Sequence, residues 1–178
     1  MAIRVREASL EDTEAIVSVT EQGWRTAYRH IVPADRLADL PVERWRHEVS
    51  VGLRRPVGDA FTYVAEVDGD FGGYCYVAAP ARDSDVGPDV AELVAIYVDP
   101  AQWRRGAGHD LMEAALARLS RLGYAEAILW TFKENERAIG FYESHGWRRD
   151  GAEKMHERSG AAAIRYRSGI AESPRPPQ

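Results

Sequence analysis

The stretch Glu92-Leu-Val-Ala-Ile-Tyr-Val-Asp-Pro100-Ala-Gln-Trp-Arg-Arg-Gly106-Ala-Gly108-His-Asp-Leu-Met112 decides the fold. The mostly apolar run Val90 to Val98 predicts a central strand, and a basic turn with two glycines follows it. A helix opens near Gly106, with Leu111, Met112, Ala115, Leu116 and Leu119 at three- and four-residue steps, which is one buried stripe. A strand feeding such a turn places unpaired N–H groups and the positive end of the helix dipole where a diphosphate can sit. Glycines at 106 and 108 let phosphate oxygens approach the backbone, and Arg104 and Arg105 add charge. The Gly-Lys-Ser/Thr of a Walker loop is absent, and a dinucleotide fingerprint would need glycine where Leu111 stands.

Downstream, Asn135-Glu-Arg-Ala-Ile-Gly-Phe-Tyr142-Glu-Ser-His-Gly146-Trp predicts a short helix capped by Asn135 and ended by Gly146. Asn135 and Tyr142 are two helical turns apart and share one stripe, roughly 10 Å apart along the axis.

The rest of the chain organises around these motifs. Ile3–Ala8 alternates as a first strand, and Ser9 with Asp12 forms a capping-box pattern for a helix to about Tyr28. Short helices are expected from Pro33 to Leu40 and from Pro41 toward Leu53. Phe61–Val67 and Gly72–Ala79 form a hairpin around Asp68-Gly69-Asp70, and residues 80–89 form a polar loop. Strands are expected at Tyr124–Phe132, Trp147–His156 and Ala163–Ser168, and a disordered tail over 171–178. One domain over residues 1–170 follows, of α/β class. A net charge of −5 disfavours a nucleic-acid partner, and no apolar run reaches the roughly 20 residues of a membrane helix. A single cysteine, Cys75, rules out an internal disulfide framework and makes the cytoplasm the expected compartment. Five histidines without metal spacing give no metal site. Apolar edges expected at the C-terminal strands leave room for a homodimer.

Together the two motifs resemble those of the GNAT-type N-acetyltransferases. Val98, Pro100 and Arg104-Arg-Gly106-Ala-Gly108 keep the register of the family's acetyl-CoA loop, although Trp103 stands where Gln or Arg is usual. The Asn135–Trp147 run is similar to the second signature. The resemblance implies a single-domain GNAT fold with a mixed, mostly antiparallel twisted sheet flanked by helices. It implies acetyl-CoA as co-substrate, held by the main chain of Arg104 to His109, including Ala107, and by strand backbone at Ile96, Tyr97 and Val98. It places Asn135 near the pantetheine and Tyr142 near the sulfur, as general acid. Glu92 lies 11 residues ahead of Trp103, as the catalytic glutamate does in histone-acetylating members. It is either the base or an ordinary strand-entry carboxylate. Trp24 and Tyr28, with the loop carrying Asp83, Asp85 and Asp89, fall in the regions that line the acceptor groove. A small primary amine such as a polyamine is the expected acceptor. A protein N-terminus or lysine is the alternative, and an acyl-CoA-binding regulator the non-enzyme one.

Overall fold

The computed structural model describes residues 2–170, so the expected tail at 171–178 lies outside the described residues. Seven strands form one sheet: β1 (Ile3–Glu7), β2 (Phe61–Val67), β3 (Asp70–Ala78), β4 (Val90–Val98), β5 (Glu126–Phe132), β6 (Arg148–Met155) and β7 (Ala162–Gly169). Their order is β1-β2-β3-β4-β5-β7-β6. Every neighbouring pair is antiparallel except β4 with β5. The helices are α1 (Thr13–Ala27), α2 (Ala34–Ala38), α3 (Val42–Arg54), α4 (Ala107–Leu122) and α5 (Glu136–Ser144). The expected α/β fold with a mixed, mostly antiparallel sheet is what the chain adopts.

Sequence pattern sets the layers. The α4 stripe, Leu111, Met112, Ala115 and Leu119, is almost fully buried and packs on Ala65, Val67, Cys75 and Val77 of the sheet. The opposite face of the same strands, Val64 and Tyr74, packs against Ile16 and Val19 of α1. Both faces are therefore covered, which is why β2 to β4 read as apolar runs rather than as clean alternation. Cys75 is fully buried, and burial pushes its thiol up to about 12, so it is a packing residue rather than a nucleophile. Gly123 takes a left-handed φ of 88° to end α4, and that turn delays β5 to Glu126, two residues after the expected start.

The expectation of apolar edges at the C-terminal strands is corrected. Strand β6 is the sheet edge, and it presents Arg148, Arg149, Asp150, Glu153 and Lys154. The apolar side chains Ala163, Ile164 and Tyr166 belong to β7, which β6 covers on one side and β5 on the other. A charged edge strand disfavours pairing with a second copy.

At the start of α1, Ser9 N–H donates to Asp12 Oδ2 at 2.7 Å, and Arg6 grips both oxygens of Asp12 at 2.8 Å. These Arg6 hydrogen bonds hold the Asp12 carboxyl below the usual carboxylate range. A group with a depressed folded pKa stabilises fully above its unfolded value and loses that contribution as pH falls through the folded one. Asp12→Ala is therefore expected to cost about 1–3 kcal/mol at neutral pH. The deficit should stay constant above pH ~5 and shrink below pH ~4. Urea titrations of both proteins across that range check it; a deficit that grows in acid contradicts it.

Candidate active site

The site begins where the sheet opens. Strands β4 and β5 pair over Val90↔Glu126, Ala91↔Ala127 and Glu92↔Ile128, and not beyond. From Leu93 to Val98, β4 keeps only β3 as a ladder partner. Asp99 N–H bonds to Gly72 C=O, so alternation along an antiparallel pair assigns Tyr97 to the bonded positions facing β3. Ile96 and Val98 then turn their backbone groups toward the gap. Close approach on the β3 side explains Gly73: a Cβ there would sit 2.5 Å from the Tyr97 carbonyl oxygen. The Tyr97 side chain packs away from the gap, stacked on Tyr74 and filling the space left by Gly23.

The turn after β4 is built as a cradle. Arg104 has φ 63° and Gly106 φ 97°, both left-handed, so successive amides turn toward one side. The first bond of the α4 ladder runs from Asp110 N–H to Gly106 C=O, which leaves the N–H groups of Ala107, Gly108 and His109 ahead of it. These donors and the dipole end suit a pyrophosphate. Trp103 donates its indole N–H to the Val98 carbonyl at 2.9 Å, and the Arg137 guanidinium lies 3.7 Å above its ring. The unusual residue thus fixes the corner and braces a cation beside the loop. Arg105 turns elsewhere: its side chain bonds Asp68 at 3.0 Å and Gln102 and does not line the cleft.

One cleft of about 1290 Å³ runs from this cradle past the gap to α1 and α3. That exceeds the roughly 300–1,000 Å³ of a single small-molecule site. Asn135 caps α5 by accepting from Ala138 N–H at 3.3 Å, and its amide nitrogen has no partner among the described residues. Tyr142 is 8% exposed, and its hydroxyl lines the cleft with no hydrogen-bond partner among the described residues. Desolvation, with neighbouring Tyr97, pushes that phenol well above its ordinary value, so it stays protonated at neutral pH. Glu92 also reaches the cleft, with only 3% of its side chain exposed. Arg82 takes both of its oxygens, through Nε at 2.8 Å and Nη2 at 2.7 Å.

The acceptor end differs most from expectation. Trp24 is 7% exposed and edge-packed against Tyr28, Trp45, Phe132 and His156. Tyr28 lies 3.3 Å, hydroxyl to hydroxyl, from Tyr97. Both line the cleft, but their rings are largely occupied by each other. The acidic loop is corrected as a source of negative charge. Arg165 binds Asp83 and Asp85 through three hydrogen bonds, and Trp130 donates to Asp83 at 2.8 Å. Arg82, Arg137, Lys154 and the His109–His145 pair (2.9 Å) line the cleft, and none of Arg82, Arg137, Lys154 or His145 stands out by sequence reasoning. Arg137 and His145 had a signal, since both lie inside the Asn135–Trp147 motif.

Among the described residues no group of histidine, cysteine and carboxylate side chains is placed to hold a metal ion, and no helix is long and apolar enough to cross a membrane.

The pattern of the Acetyltransferase (GNAT) family matches residues 22–147. An uncharacterized N-acetyltransferase, YuaI of Bacillus subtilis, is 31% identical over 143 residues, covering 80% of this chain and 79% of the relative. A spermidine N(1)-acetyltransferase of Thermoplasma acidophilum is 23% identical, covering 83% and 89%. A crystal structure of an N-acetyltransferase from the same organism, in complex with coenzyme A, superposes with a TM-score of 0.75 at 19% identity, covering 93% of this chain and 98% of that one. The cradle, the open β4 edge and the unpartnered Asn135 amide fit the co-substrate of that family. This chain belongs to the GNAT acetyltransferases, and acetyl-CoA is its co-substrate.

Proposed function

We propose that the protein transfers an acetyl group to the primary amine of a small molecule, by direct attack within a ternary complex. The observation that carries this reading is the single cleft. It joins the phosphate cradle to an end walled by α1 and α3, with the Tyr142 hydroxyl and Glu92 both on its lining. Acetyl-CoA supplies the activated acyl group as a thioester. The main chain of Arg104 to His109 and the Asn135 amide hold it, while Ile96 offers strand-like pairing to its amides.

Chemistry then falls to this chain's own groups. An alkylammonium with a pKa near 10 must lose a proton before its nitrogen attacks. Glu92 is the acceptor of that proton, and a water must carry it because Arg82 occupies both carboxylate oxygens. The Val98 N–H, aimed at the gap, donates to the oxygen on which charge develops. The Tyr142 hydroxyl delivers its proton to the departing sulfur as the C–S bond breaks, and the second proton of the newly acylated nitrogen passes back to the Tyr142 oxygen. Helices α1 and α3 line the acceptor end of the cleft, and a small amine is the class of acceptor taken for it. Similarity to the spermidine N(1)-acetyltransferase supports the same class.

Glu92→Gln is expected to lower kcat by about 10²-fold. An unchanged kcat would reduce Glu92 to the residue that holds Arg82. The reading as a whole is tested by thiol release from acetyl-CoA across a panel of amines, with thermal protection by CoA measured in parallel. If CoA fails to raise Tm, the reading is wrong.

A further inference from the structure

We infer that the acceptor amine carries a carboxylate on the same small molecule, and that Arg82 and Lys154 bind it. The inference rests on the amine-acetylating reading and narrows its acceptor. It arises from which charges at that end of the cleft are already satisfied.

Two of the carboxylates are spent. Glu92 is buried beneath Arg82, and Asp83 is shared among Arg165, Trp130 and Lys154. On α3, Glu48 gives one oxygen to Arg44 at 2.6 Å in a surface pair and stays 51% exposed. The cations are not spent. Arg82 keeps 60% of its side chain exposed and binds Glu92 side-on through Nε and Nη2. Its Nη1 has no partner among the described residues, so that edge of the guanidinium is open on the cleft. A guanidinium anchored from behind by a buried carboxylate has lost little freedom still to lose when it binds a second anion. Lys154 is 46% exposed, with Nζ 3.8 Å above the Trp130 ring and 3.9 Å from Asp83 Oδ1. That second contact is long, and the ammonium has donors to spare.

The same contacts argue against a polycation. Lys154 covers the Trp130 face that a cationic amine would need, and Arg165 lies 5.5 Å from the same ring. Trp24 spends its ring on aromatic neighbours. His156 stands between Trp24 and Phe132, accepts from Ser159, and is held below its ordinary value by burial, so at neutral pH it adds no charge. Two open cations against one partly paired carboxylate, Glu48, select an amino acid, whose carboxylate docks on the cations while its amine faces the thioester.

The test compares L-phenylalanine with phenethylamine and L-leucine with isoamylamine, each pair differing by the carboxylate, with spermidine as the polycation. The acids are expected to exceed their partners by about 10-fold or more in kcat/KM. Lys154→Ala should raise KM for the acids by about 5- to 10-fold without changing kcat, and leave the plain amines alone. Lys154→Glu, at an exposed position, should reverse the preference in a protein of unchanged Tm. If the plain amines or spermidine match or exceed the acids, or Lys154→Ala affects both members of a pair alike, the inference falls and amine acetylation stands. Silence from every amine while CoA still raises Tm overturns both, in favour of an acyl-CoA-binding regulator.

Discussion

Tyr142→Phe is expected to lower kcat by about 10²- to 10⁴-fold and to leave CoA affinity within about twofold. The asymmetry follows from where the hydroxyl sits. The ring is packed against Phe141, Trp147 and Tyr166, and phenylalanine retains those contacts. The oxygen makes no hydrogen bond to the protein among the described residues, so its removal orphans nothing and leaves stability nearly unchanged. What disappears is a buried donor, kept protonated by desolvation, on the cleft between cradle and acceptor. Stopped-flow thiol release together with CoA titration separates the two effects. Should kcat survive the substitution, another group protonates the sulfur and Tyr142 leaves the mechanism.

Arg165→Leu is expected to destabilise the fold by about 2–4 kcal/mol, or roughly 10 °C in Tm for a chain of this size. Arg165 lies on β7 with 7% of its side chain exposed, and it ties Asp150 on β6 to Asp83 in the loop before β4. Removing it leaves two carboxylates, 19% and 14% exposed, without their principal partner. The figure is set below that of a fully buried pair because both retain some water. Asp85 is open to solvent and contributes little. A Tm within about 2 °C of the parent would mean the loop is held by other contacts.

The distance along the chain of each residue's partners decides how much of this was legible in the sequence. Strands β2 and β4 have the boundaries their patterns predict, since period and apolar content are local properties. The phosphate cradle and the Asn135 helix were readable for the same reason: each motif closes within about a dozen residues. The acceptor end was not. Asp83 and Asp85 look like available negative charge until Arg165, 82 and 80 residues further on, is folded against them. Arg82 and Lys154 carry no motif, and only the assembled cleft brings them to one end. The edge strand failed differently, because Arg148 to Lys154 was visibly polar. The apolar residues that suggested an open edge belong to β7, and only strand order shows that β7 is interior.

The short β4–β5 pairing has a mechanical consequence. Among the described residues, three residue pairs are the only ladder joining a four-stranded block, β1 to β4, to a three-stranded block, β5 to β7. The gap beyond Glu92 and Ile128 is a seam in the sheet between the two blocks. Anything that spans it by pairing with Val98 on one wall and Asn135 on the other becomes a stitch. The co-substrate is then also part of the scaffold, and amide hydrogen exchange on both sides of the seam should slow together once it is in place.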